Sequence, residues 1–437
     1  MWISLSLVSV WVLAVYLSRK RYGDVFTPVC VYTSVWCICL LLFHLRLIDY
    51  HELNRRTVLL ISGSMLGFGS GCFLAGKVNQ RRKRPFPKAF RLEKFEAGLK
   101  VLAVVHVVGL VWFAVRMLSS YGIETYLRDS LSIRVDHDNW PNFSPLGPFM
   151  LAFYPVFACS FVHWLMTRRI RWFSAVGLIG PIIHCFLLTD RGTLVYLVLT
   201  CLFIWIYIRR RDRITVRLAS AGLAVVFVAI LYFVGLGVLE GRVVSPESGD
   251  EYSGNMNVTS EVMVTLAYPY IYATGSFPAF QEGMSDVRSF SLGTRTFYPA
   301  LIVLKKFWIL SEVQGWAIYD YYYVPIPMNT YTWLFTFYQD FGIAGVLVLP
   351  FVFGYLETRL YLRMKMAPTF LLILGTSALM VVNIFSVFIP LSSLPEFWFY
   401  FLAVGALSRY CWGPMNETAS RPGALLMRGG LSSSELA

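Results

Sequence analysis

The side chains with most chemical potential are charged groups stranded among apolar ones. Asp190 and Arg191 form the only charged pair in the run from His184 to Ile208. A charge inside a bilayer costs a few kcal/mol unless it is paired or near the interface, so such residues are functional candidates. Arginine holds a phosphate by its planar fork; the plainer alternative is that Arg191 snorkels and pairs with Asp190 to anchor a hairpin tip. A second group, Arg128, Arg134, Asp136, His137 and Asp138, lies in the stretch 118–147. Carboxylates beside His137 favour its charged form, and an imidazole titrating near neutrality can serve as general base or acid. The alternative there is a solvated polar loop. Arg288 and Arg295 lie in a stretch rich in aromatics, including Trp308, Trp316 and Tyr322. Rings that stack on a sugar and cations that hold a phosphate explain that composition, as does an interfacial aromatic belt. Asp340 is either a base for a hydroxyl or a helix N-cap with Gly342 in the first turn. None of these spacings is that of a metal-ligand set, and the eight cysteines include no CxxC pair, so no metal, cofactor or disulfide framework is expected.

These groups must be positioned by membrane helices. The chain of 437 residues is 57% hydrophobic and 14% charged, against about 25% charged in soluble domains, and its mean hydropathy is +0.60. Eleven apolar runs are long enough to be read as spans: 2–18, 25–44, 57–76, 97–117, 148–166, 172–189, 192–208, 218–238, 341–358, 369–389 and 394–408. The first has no basic stretch before it and reads as an uncleaved helix, not a signal peptide. The net charge of +13 does not indicate a nucleic-acid partner. It is concentrated in five basic groups, around residues 19–21, 77–94, 168–171, 209–217 and 359–365. Strict alternation from an external N-terminus puts all five on the cytoplasmic side, as the positive-inside rule requires. The other side receives the gaps 45–56, 118–147, 190–191, 239–340 and 390–393, of which 239–340 is long enough to be functional. Arg288 and Arg295 then sit against the trend. Residues 261–283 are amphipathic and suit a membrane surface, Gly63, Gly67 and Gly71 form a helix-packing stripe, and the tail 413–437 is polar and expected to be disordered.

Three segments in order, TDRGT before an apolar helix, SLGTRTFYP, and NTYTWLFTFYQDFGIAGVLVLPFVFGYLETRLY, resemble features of Wzy-type oligosaccharide repeat-unit polymerases over roughly residues 180–365. The resemblance implies an all-α, polytopic glycosyltransferase of GT-C type in the bacterial inner membrane, with a large periplasmic loop and a cytoplasmic C-terminus. It implies block transfer of glycan from undecaprenyl diphosphate onto a lipid-linked repeat unit, without a metal, and a polysaccharide chain-length regulator as a possible partner. Arg191 matches the arginine of the family's RG motif, and Arg295 falls in its large loop. The paired arginine–glycine spacings of some members do not occur at these arginines. An O-antigen ligase uses the same donor with another acceptor; a lipid-linked oligosaccharide flippase predicts two related halves, which the sequence lacks.

Overall fold

The computed structural model describes residues 2–77, 88–128, 147–187, 191–209, 220, 222, 231, 257, 269–306, 321–324 and 327–414. In chain order its helices are α1 (Trp2–Tyr22), α2 (Pro28–His44), α3 (Arg55–Lys77), α4 (Leu92–Arg128), α5 (Phe153–Thr167), α6 (Trp172–Leu187), α7 (Arg191–Ile208), α8 (Ser276–Asp286), α9 (Tyr298–Lys306), α10 (Trp333–Met366), α11 (Phe370–Phe385) and α12 (Pro395–Cys411). Among the described residues, four strands of two or three residues form two small antiparallel ladders, β1 (Lys88–Phe90) with β4 (Trp412–Pro414) and β2 (Tyr322–Tyr323) with β3 (Pro327–Met328).

Ten of the eleven expected spans fall on helices; the eleventh, 218–238, lies almost wholly outside the described residues. By length and composition three can cross a membrane, within Arg55–Gly76, Leu92–Gly122 and Trp333–Met366, and five shorter helices are strongly apolar. The outward faces are apolar. Val58, Leu59, Leu66 and Phe73 on α3, and Val101, Val104, Val108, Val111 and Val115 on α4, are all exposed. Three- and four-residue spacing puts such residues on one helix face. A face of this kind belongs in lipid, where helices satisfy their own backbone, so the protein is membrane-embedded and all-α in character.

The chain divides into two compact units, the first made of residues 1–79, 212–362 and 379–394, the second of 80–211, 363–378 and 395–437. In the first unit, α2 starts as its sequence dictates. Thr27, in extended conformation, accepts the Cys30 N–H through its side chain, and Pro28 opens the helix. The glycine stripe of α3 packs on α10. A Cβ at Gly67 would lie 2.8 Å from the Leu347 carbonyl oxygen, and one at Gly71 would lie 2.0 Å from that of Phe351. Only glycine admits so close an approach of two backbones.

A difference from the sequence expectation is that α10 does not begin at residue 341. It starts at Trp333 and turns back on itself at Gly342, whose φ of 61° and ψ of −146° are non-helical. In a straight helix, Trp333 and Phe353 would be about 30 Å apart, yet their rings are 5.4 Å apart, and Phe337 stacks on Phe353. Residues 333–341 therefore form a short arm folded against the long arm 343–366. Along α3, Arg56 meets Tyr338 of the short arm and Phe68 meets Trp333, so the arm, about 13 Å long as a helix, lies alongside its neighbour. The stretch read as ending an external loop is thus a short helical arm packed back on α10. The chain leading into it is shielded by protein, since Tyr331, Thr332 and Trp333 are all buried.

In the second unit, α4, α5 and α6 are pinned by one buried polar cluster. His163 meets Glu96 at 3.2 Å through Nε2 and Ser174 at 2.7 Å through Nδ1, while Arg171 donates to the other Glu96 oxygen at 2.6 Å. Nearby in sequence, α4 continues past residue 117 as far as Arg128 but breaks at Gly122, where φ is 74°. The eight cysteines are all buried thiols.

Candidate functional site

Of the residues singled out by sequence, Asp340, Arg288, Arg295 and Tyr322 belong to the first unit. Asp340 stands two residues before the reversal at Gly342 and is fully buried. Its carboxylate does not cap its own helix. It grips the loop 291–296 instead: Oδ1 accepts from the Arg295 N–H at 3.2 Å and from the Ser291 hydroxyl, and Oδ2 accepts from the Thr296 N–H at 2.7 Å. Main-chain bonds extend the clasp, with Ser291 N–H on the Gln339 carbonyl at 2.9 Å and Leu292 N–H on the Asp340 carbonyl at 3.1 Å.

The loop is bent to fit. Leu292 and Gly293 take φ of 49° and 95°, a region that leucine enters only when its surroundings hold it there. Phe290 covers the turn from the other side. Its ring meets Tyr338 edge-on at 6.3 Å and lies where a Cβ on Gly342 would be, 2.8 Å away. The reversal in α10 and the loop that carries two arginines therefore hold each other in shape.

Arg288 is exposed and Arg295 half-buried on this loop. A third arginine, which the sequence reading passed over, joins them: Arg56 at the start of α3 donates to the Tyr338 hydroxyl at 2.7 Å. The signal was present, because alternation of the expected spans assigns Arg55 and Arg56 to the same sparsely basic side as Arg288 and Arg295. Several buried hydroxyl and amide oxygens, Thr296 Oγ1, Thr330 Oγ1, Thr332 Oγ1 and Gln339 Oε1, have no hydrogen-bond partner among the described residues. Buried polar groups are rarely left so. Tyr322 of β2 is half-buried with its ring edge-on to Tyr331, itself stacked on Phe335 of the short arm.

Arg128 is the last residue of α4 and Arg191 the first of α7, both in the second unit. Arg134, Asp136, His137, Asp138, Asp190, Trp308 and Trp316 lie outside the described residues. The amphipathic stretch 261–283 is described from residue 269. There it packs on protein, with Tyr270 donating to the Leu42 carbonyl and stacked on Tyr50, Thr274 donating to the Tyr50 hydroxyl, and Phe277 between Trp36 and Phe43.

No family model, no curated protein and no solved structure matches this chain.

Proposed function

We propose that the protein is a membrane glycosyltransferase that polymerises undecaprenyl-diphosphate-linked oligosaccharide repeat units, its clasped arginine loop binding the donor's diphosphate at the periplasmic face. The observation that carries this proposal is the grip of the buried Asp340 carboxylate on the backbone of 291–296, which fixes a loop bearing Arg288 and Arg295 beside Arg56. In the reaction the anomeric carbon–oxygen bond to diphosphate breaks and an acceptor hydroxyl forms the new glycosidic bond. Negative charge grows on the departing diphosphate, and cations fixed beforehand stabilise it most effectively. Arg191 and, from the other external stretch, Arg128 and Arg134 are further candidates for that role.

Asp340 acts here as a positioning residue, because three donors already engage its carboxylate. The acceptor proton then falls to His137 or Asp136. The aromatic residues Trp308, Trp316 and Tyr322 are the candidates for sugar stacking.

The test is purified protein in liposomes with lipid-linked repeat units, scored for a ladder of polymer. Arg295→Ala and Arg56→Ala are expected to slow ladder growth by roughly ten- to a hundredfold each, the loss of one charge-assisted contact. A ladder undiminished in both variants sinks the site assignment. Cysteine labelling that finds positions 288 and 191 facing the cytoplasm sinks the proposal as a whole.

A further inference from the structure

Four carboxylates are buried among the described residues: Asp24, Glu96, Asp340 and Glu357. In three of them both oxygens are engaged. Asp24 accepts the Phe26 N–H on one oxygen and the Tyr361 hydroxyl on the other; Glu96 meets His163 and Arg171; Asp340 holds the loop. Glu357, in the long arm of α10 and only 1% exposed, differs. Its Oε2 accepts from Asn383 Nδ2 of α11 at 2.6 Å, and its Oε1 has no partner. The other atom of that amide, Asn383 Oδ1, is also buried without a partner.

Those two unpartnered atoms are the remaining halves of two planar groups already joined by one short hydrogen bond. Both accept when Glu357 is ionised, so a carboxylate gives neither Oε1 nor Oδ1 a donor. A carboxylic acid resolves the conflict, since its hydroxyl donates to the amide oxygen while its carbonyl accepts from the amide nitrogen. Charge gives the same answer. The titratable groups that sense Glu357 are Tyr32 of α2 and Cys72 of α3, both neutral hydrogen-bonding groups, and its own hydrogen-bond partner is the uncharged Asn383. An unpaired ionised carboxylate is expensive to bury; such a group takes up a proton instead.

We propose that Glu357 and Asn383 form a proton-binding site within the membrane, the Glu357 acid hydroxyl donating to Asn383 Oδ1 while Asn383 Nδ2 donates to Glu357 Oε2. Loss of the proton breaks the first of those bonds and turns the amide against a carboxylate. The site is linked to the short arm of α10 through the main chain of residues 383–386. The Ser386 hydroxyl donates to the main-chain carbonyl of Asn383 at 2.7 Å and accepts from the Trp36 indole at 2.8 Å, while the Ser386 main-chain carbonyl accepts the N–H of Trp333, the first residue of the arm, at 2.8 Å. One turn along the same face of α10, Tyr361 donates to Asp24 and is the adjacent exchangeable group.

The test is infrared difference spectroscopy of the full chain in lipid, with no glycan substrate, so that its outcome is independent of the proposed function. At neutral pH the wild type is expected to carry one protonated-carboxyl carbonyl band that Glu357→Gln lacks and that fades as pH rises. Glutamine keeps both hydrogen bonds to the amide, so the variant should fold. Asn383→Leu is expected to move the band to higher frequency, because the carbonyl loses its donor. Tryptophan fluorescence should change with pH in the wild type and stay constant in Glu357→Gln. A wild-type spectrum with only carboxylate bands for Glu357 at neutral pH overturns the proposal, as does a band indifferent to Asn383→Leu. A response driven by added sodium at constant pH overturns it in favour of a cation site.

Discussion

At the residue scale, Asp340 separates two roles that sequence alone leaves open. A general base needs a free lone pair aimed at substrate, whereas this carboxylate is buried and holds Ser291, Arg295 and Thr296. Asp340→Asn keeps the size but replaces one acceptor with a donor facing an N–H. We expect it to cost about 1.5–3 kcal/mol, the worth of a hydrogen bond to a charged group, read as a lower melting temperature and faster proteolysis within 287–297. A variant that loses polymer formation while melting and proteolysis stay at wild-type values would return Asp340 to the role of base. Its position in sequence was legible, since an acid before a glycine at the head of an apolar run invites attention. Its partners were not, because they lie some 45 residues earlier in a loop whose local composition resembles an ordinary turn.

At the element scale, the reversal of α10 depends on Gly342. Its φ and ψ lie in a region open essentially to glycine alone. Gly342→Ala adds a backbone cost of about 1–3 kcal/mol and drives a methyl group into the Phe290 ring. We expect the variant to be recovered in lower yield and the loop to be cleaved faster, with Phe290→Ala added to the same chain relieving only the steric part. A second element-scale prediction concerns the segment 269–286. Burial raises the phenols of Tyr50 and Tyr270 above their ordinary value, against smaller lowering effects of their hydrogen bonds. An acid raised by folding supports the native state below its unfolded pKa of about 10 and withdraws that support as pH climbs towards the folded value. Thermal stability should therefore fall above about pH 10, and less steeply in Tyr50→Phe.

At the scale of the whole molecule, hydropathy located helices well and their turning points poorly. Runs such as 25–44, 172–189 and 369–389 read directly because lipid demands unbroken apolar helix. The reversal at Gly342 was hidden, because both arms are apolar and periodicity carries no sign of direction. The glycine stripe was readable as a contact face, and its partner was not, since three small residues say that something comes close without saying what. We expect Gly71→Val to fail, because its methyl groups would enter the Phe351 backbone. Leu66→Val, on the exposed face, should be neutral; size-exclusion profiles in detergent distinguish the two. Equal profiles would mean that α3 does not pack on α10 through this stripe.

The clasp at Asp340 is made to main-chain N–H groups, apart from the Ser291 hydroxyl. The side chains of Leu292, 81% exposed, and Phe297 project from the loop without contributing to that grip. Exchanging such side chains alters what the loop presents without touching what fastens it. Recognition can thus be retuned at these positions at little structural penalty, so they are where transplanted or randomised loops should be tried first.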